Sequence, residues 1–322
     1  MSLAVFYKLL VLIVVVGIGW RAGRTPLLRG PDTVRVITGV AFYILAPALL
    51  FRAMARLDLN HMPWGPLVGF FGPAMLWMLL AYAWQRLRSG RQDPALASVR
   101  AITMSFGNTL QVGVPFIAAL YGDAGLSLHV AIVSLHSLTL LTTGTVLAEV
   151  DLARAQPDAG EQIGRTVRQT LRSILIHPVI LPVAAGLVWN LVGLRLPQPL
   201  DEVLQLMGSG VVPLCLILIG LTLAHYGVRG AVRDAILMAC GKMLVMPALV
   251  LAVGHGLLGL HGVPLAVIVL GAALPSGSNA LMFAQRYNSQ QAQASATIVI
   301  GTVAYAAVAP FWLAVLDAMG WV

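Results

Sequence analysis

Charge is scarce in this chain. Charged residues fill 10% of its 322 positions, with 12 acidic side chains against 20 basic ones. A soluble domain carries about 25% charge. Too few charges are present to coat a water-facing surface around a chain that is 59% hydrophobic. The same imbalance excludes disorder and collagen-like repeats. Cysteine is nearly absent: Cys215 and Cys240 both sit in apolar stretches and no CxxC pair occurs. Neither a disulfide framework nor a zinc site is supported. No alternating pattern of about ten residues recurs, which disfavours a transmembrane β-barrel. HExxH, GxSxG and Walker A patterns are missing, and Ser276 and Ser278 have no base placed by the sequence, so an enzyme is not expected. No small-x-small site follows Val14–Trp20. Residues 1–20 are therefore expected to be a retained membrane helix, stopped by Arg21 and Arg24, rather than a cleaved leader.

Long apolar runs take the place of charge. A bilayer core of about 30 Å needs about 20 apolar residues per helix. Ten runs meet that length, at roughly 3–20, 34–55, 64–86, 96–120, 127–149, 170–192, 200–225, 232–258, 263–287 and 293–318. The loops after odd-numbered runs hold Arg21, Arg24, Arg29 and Arg35; then Arg86, Arg88, Arg91 and Arg100; then Arg154, Arg165, Arg168 and Arg172; then Arg229 and Arg233; then Arg286. These are fifteen of the 20 basic residues. Their side is expected to be cytoplasmic, with both termini outside, in a bacterial-type inner membrane. The net charge of +8 then records topology, and a nucleic-acid partner is not expected.

The longest polar stretch, about 151–169, separates five runs in 1–150 from five in 170–322. An odd number per half inverts the second half. Pro47 and Pro213 are 166 residues apart, and Pro115 and Pro275 are 160 apart. Inverted repeats with interrupted helices at matching positions mark secondary transporters. Run 4 carries Gly107, Asn108, Thr109, Gln111, Gly113 and Pro115 near mid-depth, and run 9 carries Pro275, Ser276, Gly277, Ser278 and Asn279. Proline removes a helix hydrogen bond, and exposed backbone in lipid costs several kcal/mol per group, so such breaks belong in a protein-lined cavity. Helix ends at a break direct their positive N-termini at anionic groups. Kinks glued by serine and asparagine are the blander reading of either run alone.

FGNTLQVGVP in run 4 resembles the auxin efflux carrier family, which includes the plant PIN-FORMED carriers and bacterial organic-acid permeases. YILAPALLF in run 2, HPVILPVAAGLVWNLVG in run 6, VVPLCLILIGLTLA in run 7 and ALPSGSNALMFAQRY in run 9 resemble it too. The resemblance spans nearly the whole chain. It implies the ten-helix fold shared with bile acid/sodium symporters, in which helices 4 and 9 unwind and cross at prolines matching Pro115 and Pro275. It implies substrate contacts at Asn108 and Asn279. It further implies a scaffold of runs 1, 2, 6 and 7, a moving core from the rest, and a homodimer through runs 2 and 7. The plant carriers' long cytoplasmic loop is missing, as in the bacterial short form.

Few ionisable groups lie inside the runs. Lys242 is about ten residues into run 8; a lysine at mid-bilayer costs about 2.5–3.5 kcal/mol on insertion scales and is functional by default. It reads either as a counter-charge for an anion or as a side chain reaching back to the inner surface. Asp58, Asp123, Glu149, Asp201, Asp234 and Asp317 fall near run ends or in loops, which weakens a carboxylate ion site. His136 and His177 lie within runs, and histidine titrates in the physiological range. Arg52 and Arg56 end run 2 and are expected to anchor it at the outer interface; an outer lure for anions is the alternative.

The expectation is an all-α polytopic membrane protein. It carries small organic anions such as carboxylates by elevator-type alternating access. Asn108, Thr109, Gln111, Ser276, Ser278 and Asn279 bind substrate beside Gly107, Gly113, Pro115, Pro275 and Gly277. Lys242 and His136 serve charge or coupling. No cofactor or metal is expected, and proton coupling is favoured over sodium. A ligand-gated channel or a receptor using the same crossing is the alternative.

Overall fold

A computed structural model of the chain describes residues 3–56, 63–88, 93–155, 180–225 and 232–320. Asp58, Arg91, Arg165, Arg168, Arg172, His177 and Arg229, with residues 156–169 of the expected linker and 170–179 of run 6, lie outside them. Among the described residues every regular element is helical and no strand is formed. Among the described residues, six helices are long and apolar enough to cross a membrane: Asp32–Ala55, Trp64–Arg88, Thr109–Leu152, Gln198–Ala224, Val232–Gly256 and Gln291–Ala318.

We number the helices α1 (Leu3–Ala22), α2 (31–55), α3 (Trp64–Arg88), α4 (Leu96–Thr103), α5 (109–121), α6 (123–155), α7 (Ile180–Leu191), α8 (Gln198–Ala224), α9 (Val232–Gly256), α10 (Gly262–Ala273), α11 (Ser278–Arg286) and α12 (Gln291–Ala318). Gly122 divides α5 from α6 with φ 60° and ψ −150°, a conformation that only glycine adopts freely. Run 4 is therefore two helices, α4 and α5, and run 9 is also two, α10 and α11.

Prolines leave a local signature. Ala41–Leu45, Thr109–Gly113 and Gly241–Val245 are π turns, and each ends two residues before a proline: Pro47, Pro115 and Pro247. Proline cannot donate to the carbonyl four residues back, and a wider turn absorbs the lost bond without ending the helix. In α9 the carbonyl in question, that of Met243, accepts the Trp312 indole N–H at 2.9 Å.

The chain forms two compact units. The first comprises Met1–Pro63, Thr109–Ser134 and Leu175–Gly227. It contains α1, α2, α5, the start of α6, α7 and α8. Its helices meet through small residues. A Cβ on Gly19 would strike the backbone of Ile217, and one on Gly220 would strike the backbone of Val16 and Trp20, so α1 and α8 touch backbone to backbone. Leu50, Leu110, Val114, Val130 and Val211 form its buried apolar core.

Arg52 and Arg56 do not stand as free interface anchors. Asp201, buried in the first turn of α8, accepts from Arg52 Nε at 2.9 Å and from Arg56 Nη2 at 2.6 Å. Two guanidiniums hold the carboxylate by charge-assisted bonds, and solvent around the exposed Arg56 screens its share. Asp201→Asn is expected to lower the melting temperature of detergent-purified protein. Arg52→Gln should be non-additive with it, the double variant melting higher than the sum of the two losses predicts. Additive losses would remove the ion pair from the fold.

The second unit comprises Trp64–Asn108, Leu135–Ile174 and Val228–Val322. Helix α10 is its centre: every residue from Leu265 to Leu274 is buried. A helix apolar on all sides belongs inside others, and α3, α9 and α12 cover it. Polar bonds cross one end of this unit. Arg100 Nη2 meets Asp234 at 2.5 Å, and its Nε and Nη1 meet Gln290 at 3.0 Å and Gln85 at 3.3 Å. Arg86 pairs with buried Asp151, which also accepts the Tyr82 hydroxyl at 2.9 Å. Part of the positive charge that marks the loops is thus neutralised within the fold.

Candidate functional site

Two helices of the second unit stop inside it. Helix α10 ends at Ala273 because Pro275 follows; Leu274, just before it, takes φ −55° and ψ 145°, the extended geometry that proline imposes on its predecessor. Helix α11 begins at Ser278. Helix α4 ends at Thr103, and the chain resumes helix at Thr109. The breaks are therefore 104–108 and 274–277.

These breaks pair with each other. Gly107 and Ser276 form an antiparallel bridge. The Asn108 amide donates to Pro275 O at 2.8 Å, and the Gly277 amide donates to Phe106 O at 2.9 Å. The pairing needs glycine. A Cβ on Gly277 would lie 2.9 Å from the Gly107 carbonyl oxygen and 3.2 Å from Phe106 Cδ1.

A helix leaves its last four carbonyls without partners, and here their partners are identifiable. Arg100 O accepts from the Met104 amide at 2.9 Å, and Ile102 O from the Phe106 amide at 2.8 Å. Ala101 O takes the Ser105 hydroxyl at 2.7 Å, Thr103 O the Ser276 hydroxyl at 2.6 Å, and Met104 O the Trp77 indole at 2.9 Å. In α10, the Lys242 ammonium donates to Ala272 O. Lys242 is wholly buried, so it does not reach back to the membrane surface. A Cβ on Gly107 would lie 3.4 Å from its Nζ, so the amine stands beside both breaks. The π turn that holds Lys242 also holds Gly241, whose missing side chain leaves room for the Trp77 ring.

The expected site residues divide between the units. Gly107, Asn108, Pro275, Ser276, Gly277, Ser278, Asn279, Lys242 and His136 belong to the second unit. Ser276 is buried, Asn108 and Asn279 are half-buried, and Ser278 is exposed. His136 is buried with its ring 4.4 Å from that of Phe106, the residue before Gly107. Thr109, Gln111, Gly113 and Pro115 belong to the first unit. Pro115 does not lie in the first break; it is buried within the second turn of α5. The preceding π turn accommodates it, so unwinding occurs earlier, where Gly107 permits close backbone approach.

Trp77 was not legible as part of this site. One signal for it existed: a tryptophan deep in an apolar run must find an acceptor for its N–H, and Trp77 and Trp312 each take a backbone carbonyl.

The membrane transport protein family matches residues 4–313. Auxin efflux carrier component 8 of Arabidopsis thaliana is 25% identical over 235 residues, which cover 60% of this chain and 64% of the plant carrier, just under two thirds of its length. An uncharacterized transporter of Methanothermobacter thermautotrophicus is 23% identical over 290 residues, 89% of this chain and 90% of that one. A putative malonate transporter of Rhizobium meliloti is 24% identical over 265 residues, 81% of this chain and 80% of that one.

Proposed function

This chain belongs to the membrane transport protein family, that of the auxin efflux carriers, and from that premise we propose that it is a secondary carrier of small organic anions. The family is one of transporters and not of enzymes. The reading includes ten spans in two inverted five-helix repeats, an inner-membrane setting with both termini outside, and a homodimer through α2 and α8.

Substrate binds at the paired breaks of the second unit. One observation carries this assignment: the bridge of Gly107 with Ser276 stands beside a buried lysine and two half-buried asparagines. Asn108 and Asn279 supply hydrogen bonds to a carboxylate. The N-terminus of α11, which starts at Ser278, contributes the positive end of its dipole. The Lys242 ammonium adds charge. Access alternates by an elevator-type shift of the bundle that carries the breaks, with proton coupling favoured over sodium. A dicarboxylate of malonate size is the first probe, since one relative is named a putative malonate transporter.

The test is uptake into proteoliposomes. Labelled malonate and monocarboxylates are offered with and without a pH gradient, and counterflow separates a carrier from a channel. Losing one hydrogen bond to a charged group costs about 1.5–3 kcal/mol. Asn108→Ala should therefore raise the half-saturating concentration about 10- to 100-fold, with the protein still folded. Unchanged affinity and rate would sink the site assignment.

A further inference from the structure

We propose that the second unit holds one anionic phospholipid in a groove between α3, α4 and α9. The groove measures about 840 Å³. Its long walls run from Trp77 to Arg88 on α3 and from Asp234 to Val245 on α9. Each wall covers eleven residue steps, about 16 Å at 1.5 Å per residue. Half of a bilayer's hydrocarbon thickness is about 15 Å, so the groove is as deep as one leaflet.

The two ends differ in chemistry. Leu80, Trp84, Leu237 and Val245 line the shaft, and all four are exposed. In a bilayer they meet acyl chains rather than water. Gln85, Arg88, Arg100 and Asp234 gather at the mouth. Arg100 is committed to Asp234, Gln290 and Gln85. Arg88 is not so committed: its guanidinium lies over the Trp84 ring, 4.0 Å from the centroid, and among the described residues it has no carboxylate partner. The mouth therefore keeps one net positive charge. A basic end above an apolar shaft one leaflet long suits a phosphate headgroup with its acyl chain below. In the proposed orientation Arg88 lies on the cytoplasmic side, so the lipid comes from the inner leaflet.

The bottom of the groove is the outer wall of the first break. Met104 and Gly241 line it, and Trp77 closes it with its bond to Met104 O. The acyl chain therefore abuts the residues that hold the unwound segment.

The full chain, delipidated in detergent, tests this by native mass spectrometry with dioleoyl phosphatidylglycerol or phosphatidylcholine added at equal concentration. One phosphatidylglycerol per chain should be retained at least tenfold more tightly than phosphatidylcholine. Arg88→Gln, an exposed change, should erase that preference. Cys240 is exposed and lines the groove, so Cys240→Phe should weaken retention of both lipids. Phosphatidylglycerol with brominated chains should quench tryptophan fluorescence in the parent and less in Cys240→Phe. Equal retention of the two lipids overturns the proposal, as does indifference to Arg88→Gln. So does a delipidated dimer in which Cys240 becomes protected from maleimide, since a second copy would then occupy the groove. If Cys240→Phe fails to fold, the Arg88→Gln comparison decides alone.

Discussion

Gly277→Val is expected to abolish transport. Even a single Cβ at that position meets the Gly107 carbonyl oxygen at 2.9 Å and its carbon at 3.2 Å. Those atoms are backbone and have no rotamer into which to retreat. The two segments must separate, and the bonds from Asn108 to Pro275 and from Gly277 to Phe106 lengthen together. Each buried backbone group left unpaired costs about 1–3 kcal/mol. The variant should therefore lose several kcal/mol locally, and uptake should drop by at least 100-fold. Gly277→Ala should fall between it and the parent. Two controls separate this effect from a general intolerance of larger residues. Among the described residues nothing lies within 4 Å of the Cβ that Gly39 lacks; Gly39→Ala should be neutral or slightly stabilising, since alanine suits a helix interior better. A Cβ on Gly301 would meet Pro275 Cβ at 3.3 Å, the flexible Met243 Sδ at 3.4 Å and Pro275 Cα at 3.7 Å; none is as close as the Gly107 carbonyl is to Gly277, and a modest loss is expected for Gly301→Ala. Full uptake by Gly277→Val would show that the bridge is not needed for transport.

Lys242→Met is expected to separate stability from function. The ammonium is wholly buried, donates to Ala272 O, and among the described residues pairs with no carboxylate. Burying an unpaired charge costs several kcal/mol even after relaxation. Losing its bond to a carbonyl costs about 1–3 kcal/mol. The first effect is larger, so Lys242→Met should melt no lower than the parent protein. Transport of an anion should nevertheless fall by about 100-fold, because the positive charge beside both breaks has gone. Lys242→Gln refines the result by keeping a donor and discarding the charge. Low uptake with a parental melting temperature assigns the role to charge. Undiminished uptake removes Lys242 from the mechanism, and a steep fall in melting temperature for the methionine variant would make the residue structural.

Much of this architecture could be read without coordinates. Runs 2, 3, 7, 8 and 10 correspond to single long helices, because apolar length and flanking arginines are local properties that a bilayer reads directly. Both interruptions were visible as polar and glycine-rich residues where apolar ones were expected. Their register was not. Pro115 looked like the breaking residue, yet a π turn carries it within α5 and the chain unwinds at 104–108 instead. Proline announces a missing hydrogen bond, but whether a helix widens or stops depends on what else can satisfy the freed carbonyl. Arg52 and Arg56 were similarly ambiguous, because their partner Asp201 is about 150 residues away in sequence.

The chain's own composition determines that it resides in a membrane, that it is helical, and where polar residues interrupt apolar runs. These follow from how each short segment partitions between water and hydrocarbon, which adds up residue by residue. Only the tertiary structure decides that Gly107 meets Ser276, that Ser276 and Trp77 cap the carbonyls of Thr103 and Met104, and that Lys242 reaches Ala272. Those pairings join segments of different helices, and hydrogen bonds depend on distance and direction in space rather than on spacing along the chain. In a medium without water every freed backbone group must find such a partner. The folded packing chooses that partner.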